Sequence, residues 1–525
     1  MKHSVRILAL LLALLLLPVW GLAETQYPIV EEPLTLTYWR RLDSRVATSL
    51  KNQGEMFCYQ IMEALTGIHV EFIHPPMGQE QEQLNLMIAG GDLPDIIDHY
   101  WRQYPGGPSS LIEENIIVPL NDYLQYAPNL EGIYAETPEA KKQAVLDDGT
   151  HYYFPFFRID AEAKAGGPII RKDWLEKLGL ELPVTVDDWY EMLVAFRDGD
   201  PNGNGEADEI PFVSKDNQGT GLESIYSLTA PFGVIHGFYQ KEAGVVGYGP
   251  IEEGYRQFLT TLSKWYAEGL IDPDFAATDG NSYDAKITGD RSGAYIGRVN
   301  NTLGRYITLK AEQGDNSFDL TGATWPIGPA NKPYNIRGDM VSLAFDDGAV
   351  ITTANKHIVE SVKWMDYAYG EEGALLFNFG IEGETYNMVD GEPVFSDFFP
   401  NSPLGFNTAH AMYCPSAFSA PMLALGSSFK QSLAQPQQQQ AVDIWASNGD
   451  VSLLLPPMTG NAEQNARLSD IMSDVSTYAL EMAVKFIMGT ESLENYDNFV
   501  SNLERMGIQE AIAIQQEILD GFNAR

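Results

Sequence analysis

Two cysteines in 525 residues, Cys58 and Cys414, exclude a disulfide-stapled scaffold and any zinc or iron–sulfur centre built from thiolates. One bridge or two reduced, buried thiols fit the sequence equally. Positive charge is scarce as well: 33 Lys and Arg stand against 72 Asp and Glu, a formal charge of −39. Such a surface repels nucleic acid and anionic lipid, so no nucleic-acid partner is expected. Long apolar runs are also lacking. The run at 7–17 falls well short of the roughly 20 residues that a membrane span needs. It follows Lys2, His3 and Arg6 and precedes Gly21 and Ala23, the pattern of a secretory signal peptide over 1–23. Loss of that leader takes the charge from −39 to −41. Neither cysteine lies at the exit, so the expectation is an exported, non-lipidated protein, periplasmic, extracellular or associated with the cell surface.

Catalytic signatures are missing too. There is no H-E-x-x-H and no G-x-S-x-G, and Gly203-Asn204-Gly205 has Asp208 where a dinucleotide loop needs its third glycine. His69, His99, His151, His236 and His357 are scattered singly. A non-enzymatic protein is expected; the enzyme alternative is a secreted glycoside hydrolase, whose two carboxylates would hide among so many acids.

The chain is too long for one core and predicts two or more lobes. Residues 34–38 read as a strand, a helix runs toward Gly67, and 70–73 read as a second strand. A helix through Leu84, Met87 and Ile88 ends at Gly90-Gly91, and 94–97 read as a third strand. Successive β-α-β units predict an open parallel sheet, with ligand beyond the carboxyl ends of its strands. Those ends carry Trp39, Arg40, Tyr100 and Trp101. Rings beside hydrogen-bonding charges suit sugars, whose C–H faces stack and whose hydroxyls need partners. Later stripes are architectural: Tyr255, Phe258, Leu259, Leu262, Trp265 and Tyr266, then Ile471, Val475, Tyr478, Met482 and Phe486, follow the helical period.

The acidic segment 198–209 holds five carboxylates and two amides. From Asp198 it fits the loop D-x-[DN]-x-[DN]-G-x5-E, with Asp200, Asn202, Gly203 and Glu209 in place. A second register starts at Asp200 and uses Asn202, Asn204, the Glu206 carbonyl, Asp208 and Glu209, with Gly205 at the turn. Both imply a structural Ca2+. Thr185 and the residues after it read as a capped helix start, but Ile210-Pro211-Phe212-Val213 cannot readily open a second helix. The loop is therefore half an EF-hand, a clip rather than a sensor.

Several stretches carry a family resemblance: Leu86-Met87-Ile88-Ala89-Gly90-Gly91-Asp92-Leu93-Pro94-Asp95-Ile96-Ile97, Val118-Pro119-Leu120-Asn121-Asp122-Tyr123, Ile170-Arg171-Lys172-Asp173-Trp174-Leu175, the acidic loop, Glu268-Gly269-Leu270-Ile271-Asp272-Pro273 and Lys485-Phe486-Ile487-Met488-Gly489. The chain resembles the extracellular solute-binding proteins of bacterial ABC importers, family 1, in the branch of carbohydrate and alginate-oligosaccharide binders. The resemblance implies an α/β, periplasmic-binding-protein-like fold of two lobes, with a hinge and an interlobe ligand cleft. It places an N-terminal lobe at 24–160 and 350–400 and a C-terminal lobe at 161–349 and 401–525, with crossings near 158–165, 340–350 and Pro400. It implies a monomer that hands a carbohydrate to a membrane permease, the alternative within binding proteins being a peptide receptor. It favours the second loop register, so Asp200, Asn202, Asn204, Glu206, Asp208 and Glu209 are the expected metal residues. Trp39, Arg40, Tyr100 and Trp101 from one lobe and Phe232, Tyr295, Arg298 and Tyr386 complete the expected ligand contacts. Neutral and uronic sugars both stay open.

Overall fold

The β-α-β alternation builds the first sheet. Strand β1 (Leu34–Trp39) pairs in parallel with β2 (Ile68–Ile73) and β3 (Ile96–Tyr100). In β2 the odd positions His69, Glu71 and Ile73 are exposed and the even ones buried, as the two-residue pleat requires. Helices Phe57–Thr66 and Glu80–Gly90 make the crossovers, each stopped by a left-handed glycine, Gly67 and Gly91. The computed structural model describes residues 25–525 apart from 103, 160–165, 216–220, 338–340 and 416–418. The expected signal peptide, and most of the expected crossing at 158–165, lie outside the described residues.

Along the chain follow β4 (Phe154–Phe157), β5 (Gly166–Arg171), β6 (Ile210–Val213), the hairpin β7 (Phe238–Glu242) and β8 (Val245–Tyr248), β9 (Ser292–Arg298) and β10 (Leu320–Gly322). Then come β11 (Ala344–Ile351), the hairpin β12 (Tyr386–Val389) and β13 (Glu392–Phe395), and β14 (Met422–Leu423). One sheet has the order β14-β4-β11-β3-β1-β2 and the other β10-β5-β9-β6.

Two expectations change here. The first sheet is mixed, because β11 returns from the second lobe and enters antiparallel between β3 and β4. The lobe boundaries move with it: β11 puts 344–349 in the first lobe, and β14, parallel to β4, carries 401–415 and 419–423 there as well. The cores agree. One draws on 36–157 and 344–422, two on 169–325 and 433–511, and a small fourth on 399–414. The third crossing therefore follows β14 and not Pro400. Helix Pro436–Ser447 then packs on the second sheet, with Trp445 against Gly167 and Ala441 against Gly322.

The amphipathic stripes are core as expected, with Tyr255, Phe258, Leu259, Leu262, Val475 and Phe486 all buried. Both cysteines are free and buried. Among the described residues no helix is long and apolar enough to cross a membrane.

Candidate ligand cavities and cation loop

At the carboxyl ends of β1 and β3, Trp39 and Tyr100 border a cavity of about 270 Å³, together with Arg41, Asp98, His99 and Asp347. The Arg41 guanidinium lies 5.1 Å from the centre of the Tyr100 ring, and His99 meets Trp39 edge to face at 6.4 Å. Burial pushes the Tyr100 hydroxyl up to about 12, so it remains a neutral donor. Burial lowers His99, which keeps the imidazole uncharged at neutral pH. Asp347 reaches this wall because β11 sets it opposite Tyr100.

The other expected contacts are placed differently. Arg40 is 2 % exposed; its Nη2 pairs with Asp98 at 2.9 Å and its Nη1 donates to the Tyr59 hydroxyl and the Ala420 carbonyl. It is a core cation, held by partners before any ligand arrives. Trp101 is fully buried and its indole N–H donates to the Gly348 carbonyl at 2.6 Å. Tyr295 is fully buried and donates to the Thr302 carbonyl. Phe232 packs on Phe258, and Tyr386 lies buried against Phe379 at the base of the β12–β13 hairpin. In this structure those four rings serve packing. Arg298 stays 41 % exposed and reaches Glu223 at 3.3 Å; it stands opposite Gly166, the start of β5.

A second cavity, of about 320 Å³, is walled by both lobes: Arg102, Tyr104 and Gly106 from the first, Phe238, Met458 and Met472 from the second. The Asn465 amide donates across it to the Gly106 carbonyl. Arg41, Asp98 and Asp347 were not among the expected contacts. Asp98 and Arg41 adjoin named positions; Asp347 had no sequence signal, because only the β11–β3 register brings it near.

The acidic loop follows helix Val186–Asp198, whose start is closed by a reciprocal Thr185–Asp188 capping box. The turn glycines of both registers, Gly203 and Gly205, are left-handed, and so is Asp200. Asp200 Oδ2 accepts from Gly205 N–H, Asn202 Oδ1 from Asn204 N–H, and Asn204 Oδ1 from Glu206 N–H. The amides of Asn202 and Asn204 both donate to Asp208 Oδ1, at 3.2 and 3.0 Å. Asp198 points elsewhere, exposed and doubly bonded to Arg197.

Among the described residues no three His, Cys, Asp or Glu side chains form a ready metal cage, so a cation here must also draw on amide and backbone oxygens. The donor set suits one. Asp200 Oδ1 and Glu209 Oε1 are buried without a donor, and turning either amide about its last bond presents oxygen in place of N–H. Burial first, then the charges of Asp208 and Asp200, hold the Glu209 carboxyl above its ordinary range. Asp208 is held below its range, first by the Asn204 amide. Crowded oxygens with unmet acceptors are the surroundings a hard cation relieves.

Comparison with known proteins fits this architecture. The fructooligosaccharide ABC transporter substrate-binding protein FusA of Streptococcus pneumoniae serotype 4 is 27 % identical over 97 % of this chain and 94 % of its own. The crystal structure of an S. pneumoniae FusA EF-hand mutant in complex with fructo-nystose superposes with a TM-score of 0.74, at 25 % identity, over 93 % of this chain and 99 % of that one. The alginate-binding protein AlgQ2, solved without calcium ion, shares the fold with a TM-score of 0.75, at 24 % identity, over 94 % and 99 % of the two chains. The model of the bacterial extracellular solute-binding proteins matches residues 55–375. Spanning most of the first lobe and much of the second, that match assigns the chain to a binding rather than an enzymatic class: it belongs to the bacterial extracellular solute-binding protein family.

Proposed function

We propose that the protein is the exported receptor of an ABC importer, that it binds an oligosaccharide between its lobes, and that it delivers the sugar to a membrane permease. The observation that carries this reading is a cavity walled by both lobes, near strand ends that present Trp39 and Tyr100, in a chain alike over nearly its whole length to a fructooligosaccharide receptor. Lobes linked covalently by a few crossing segments close on a ligand that touches both, because the closed state gains contacts that the open one lacks. Trp39, Tyr100 and Arg298 are the retained contacts. Titration of the purified protein with fructo-nystose in a calorimeter is expected to give saturable one-site binding with no sugar consumed. Release of reducing ends would instead indicate a hydrolase, and heat from peptides alone a peptide receptor.

The acidic loop reads as a structural Ca2+ site in the second register, with Asp200, Asn202, Asn204, Asp208 and Glu209 supplying side-chain oxygens and Glu206 its carbonyl. The solved EF-hand mutant of the FusA relative and the donorless buried oxygens of Asp200 and Glu209 support it. Bound Ca2+ would neutralise the crowded carboxylates and fix the turn between helix Val186–Asp198 and β6. At one hundred times Kd, Ca2+ is expected to stabilise the fold by about 2.7 kcal/mol, read as a fall in Tm on chelation. Asp208→Asn is expected to weaken Ca2+ binding about tenfold or more, whereas Asp198→Asn leaves it within about twofold. Loss in Asp198→Asn with Asp208→Asn left near wild type would restore the register from Asp198.

A further inference from the structure

Helix Ile508–Ala524 belongs to the second lobe and ends on the first. Ile508 and Ala511 lie in the second-lobe core, and Gln516 accepts from Val246 N–H and donates to the Gly244 carbonyl at the β7–β8 hairpin. The capping residue, Arg525, reaches across. Its Nε donates to Asp147 Oδ1 at 2.7 Å, its Nη1 to the carbonyls of Lys142 and Val145 at 2.9 and 2.6 Å, and its Nη2 to the Thr459 carbonyl at 3.4 Å. Lys142, Val145 and Asp147 flank the first-lobe core positions Ala144 and Leu146, whereas Thr459 lines the interlobe cavity from the second lobe. The Arg525 side chain is only 5 % exposed. Its guanidinium and the Lys142 ammonium both face the Phe522 ring, at 5.1 and 4.7 Å. Gly521 makes room for the approach, because a Cβ there would stand 2.6 Å from Asp147 Oδ2.

The place of this contact decides what it does. Between Lys142 and Val145 stands the buried Gln143, whose amide oxygen accepts from the N–H groups of Leu343 and Ala344 and whose amide nitrogen donates to the Val341 carbonyl. Those residues carry the chain from the second lobe into β11. A second tie lands on the same place. Asn465 donates to the Gly106 carbonyl, on the turn where Arg102 Nη2 donates to the carbonyls of Gln143 and Ala344. In a rigid-body rotation displacement grows with distance from the axis, and the axis of a hinge runs close to the crossings. Contacts this near a crossing persist while the far rims of the lobes move. We propose that Arg525 is the pivot of lobe closure, a positioning residue that holds Thr459, and with it the second-lobe wall of the interlobe cavity, in one place against the first lobe in both the open and the closed arrangement. Arg525 borders neither cavity, so it acts on ligand only through Thr459. The inference rests on the two-lobe receptor reading and goes beyond it, to the residue that sets the axis.

The test uses the full chain with Glu139→Cys and Asn523→Cys, two exposed positions on either side of the pivot, spin-labelled for an electron-resonance distance; Cys58 and Cys414 are buried and do not compete for label. With Arg525 intact, the distance is expected to stay within about 2 Å on saturation with fructo-nystose, while the radius of gyration from small-angle scattering falls. Arg525→Ala should broaden the sugar-free distance distribution about twofold and raise Kd for fructo-nystose about fivefold, the rise that follows if the binding-competent arrangement drops to about a fifth of the population. Arg525→Lys keeps the charge but cannot reach four oxygens at once, and should fall between wild type and Arg525→Ala. Arg525→Ala with lowered stability but the distance distribution and Kd of wild type overturns the pivot and leaves the receptor reading standing. A distance that changes by more than about 5 Å on adding sugar does the same, since the contact would then belong to one state only. If wild type takes up no fructo-nystose, the receptor reading fails, and the sugar-free distribution in Arg525→Ala still decides the pivot.

Discussion

Lowering the pH from 7 to 5 is expected to cost the fold about 6 kcal/mol at three histidines held neutral, less the part that raised buried carboxylates return. Burial depresses His151, His236 and His410 to about 4. His236 stacks on Tyr226 at 4.0 Å, with Nδ1 2.6 Å from the Tyr255 hydroxyl, and His410 Nε2 lies 2.9 Å from the Asn378 carbonyl. In the unfolded chain each titrates near the ordinary value of about 6.5, so between about 6.5 and 4 the unfolded state binds more protons than the native one. The stability is fully present above that window and is lost as the pH falls through it. At pH 5 the gap is about 1.5 units, or about 2 kcal/mol per histidine. Asp366, which burial pushes up to about 7, and the likewise raised Asp347 gain protons in the native state over the same window and return part of that cost, about 2 kcal/mol at Asp366, and relief of the −39 charge adds to this mainly below about pH 4.5. Urea midpoints at the two pH values measure the loss, and His236→Phe and His410→Gln should each remove about one proton from the pH slope. Equal midpoints at pH 7 and 5 would dispose of the idea.

Asp98→Ala is expected to destabilise the protein by about 3 kcal/mol, the lower edge of what breaking a buried ion pair costs. Arg40 would be left in the core with only the Tyr59 hydroxyl and the Ala420 carbonyl as hydrogen-bond acceptors. The cost stays at that edge because Asp347 adjoins both groups and can ionise to take over part of the pairing. Asp98→Ala with Asp347→Ala removes that reserve, so the pair should cost more than the sum of the single changes. Arg40→Met with Asp98→Leu discards the charges together and should lie within about 1 kcal/mol of wild type in stability, since apolar groups of similar volume can replace a buried pair. Denaturant unfolding of the four variants settles the matter; a fully stable Asp98→Ala would show that the pair contributes nothing.

The same residues mark how far pattern reading goes. The strands at 34–38 and 70–73 and the helix stopped by Gly90-Gly91 were legible because a pleat repeats every two residues, a helix every 3.6, and a stop needs a left-handed residue. The fold of the acidic loop was legible for a similar reason, since its candidate donors fall within ten residues of one another. Trp101, Tyr295, Phe232 and Tyr386 were misplaced. An aromatic residue at a strand end satisfies the same local pattern whether it faces ligand or core, and the deciding neighbours, Gly348 for Trp101 and Thr302 for Tyr295, leave no mark in the period.

The sequence by itself determined the class of this protein: an acidic, two-lobed α/β chain of the solute-binding kind with an EF-hand-like acidic loop, all of it encoded in composition, short-range period and contiguous motif. Only the tertiary structure decided where the lobes divide, which rings remain near a cavity, and that Asp347 meets Asp98 on one floor. Those outcomes depend on β11 entering between β3 and β4, a pairing between segments remote in the chain, and contacts of that kind are set by which surfaces bury together rather than by any local preference.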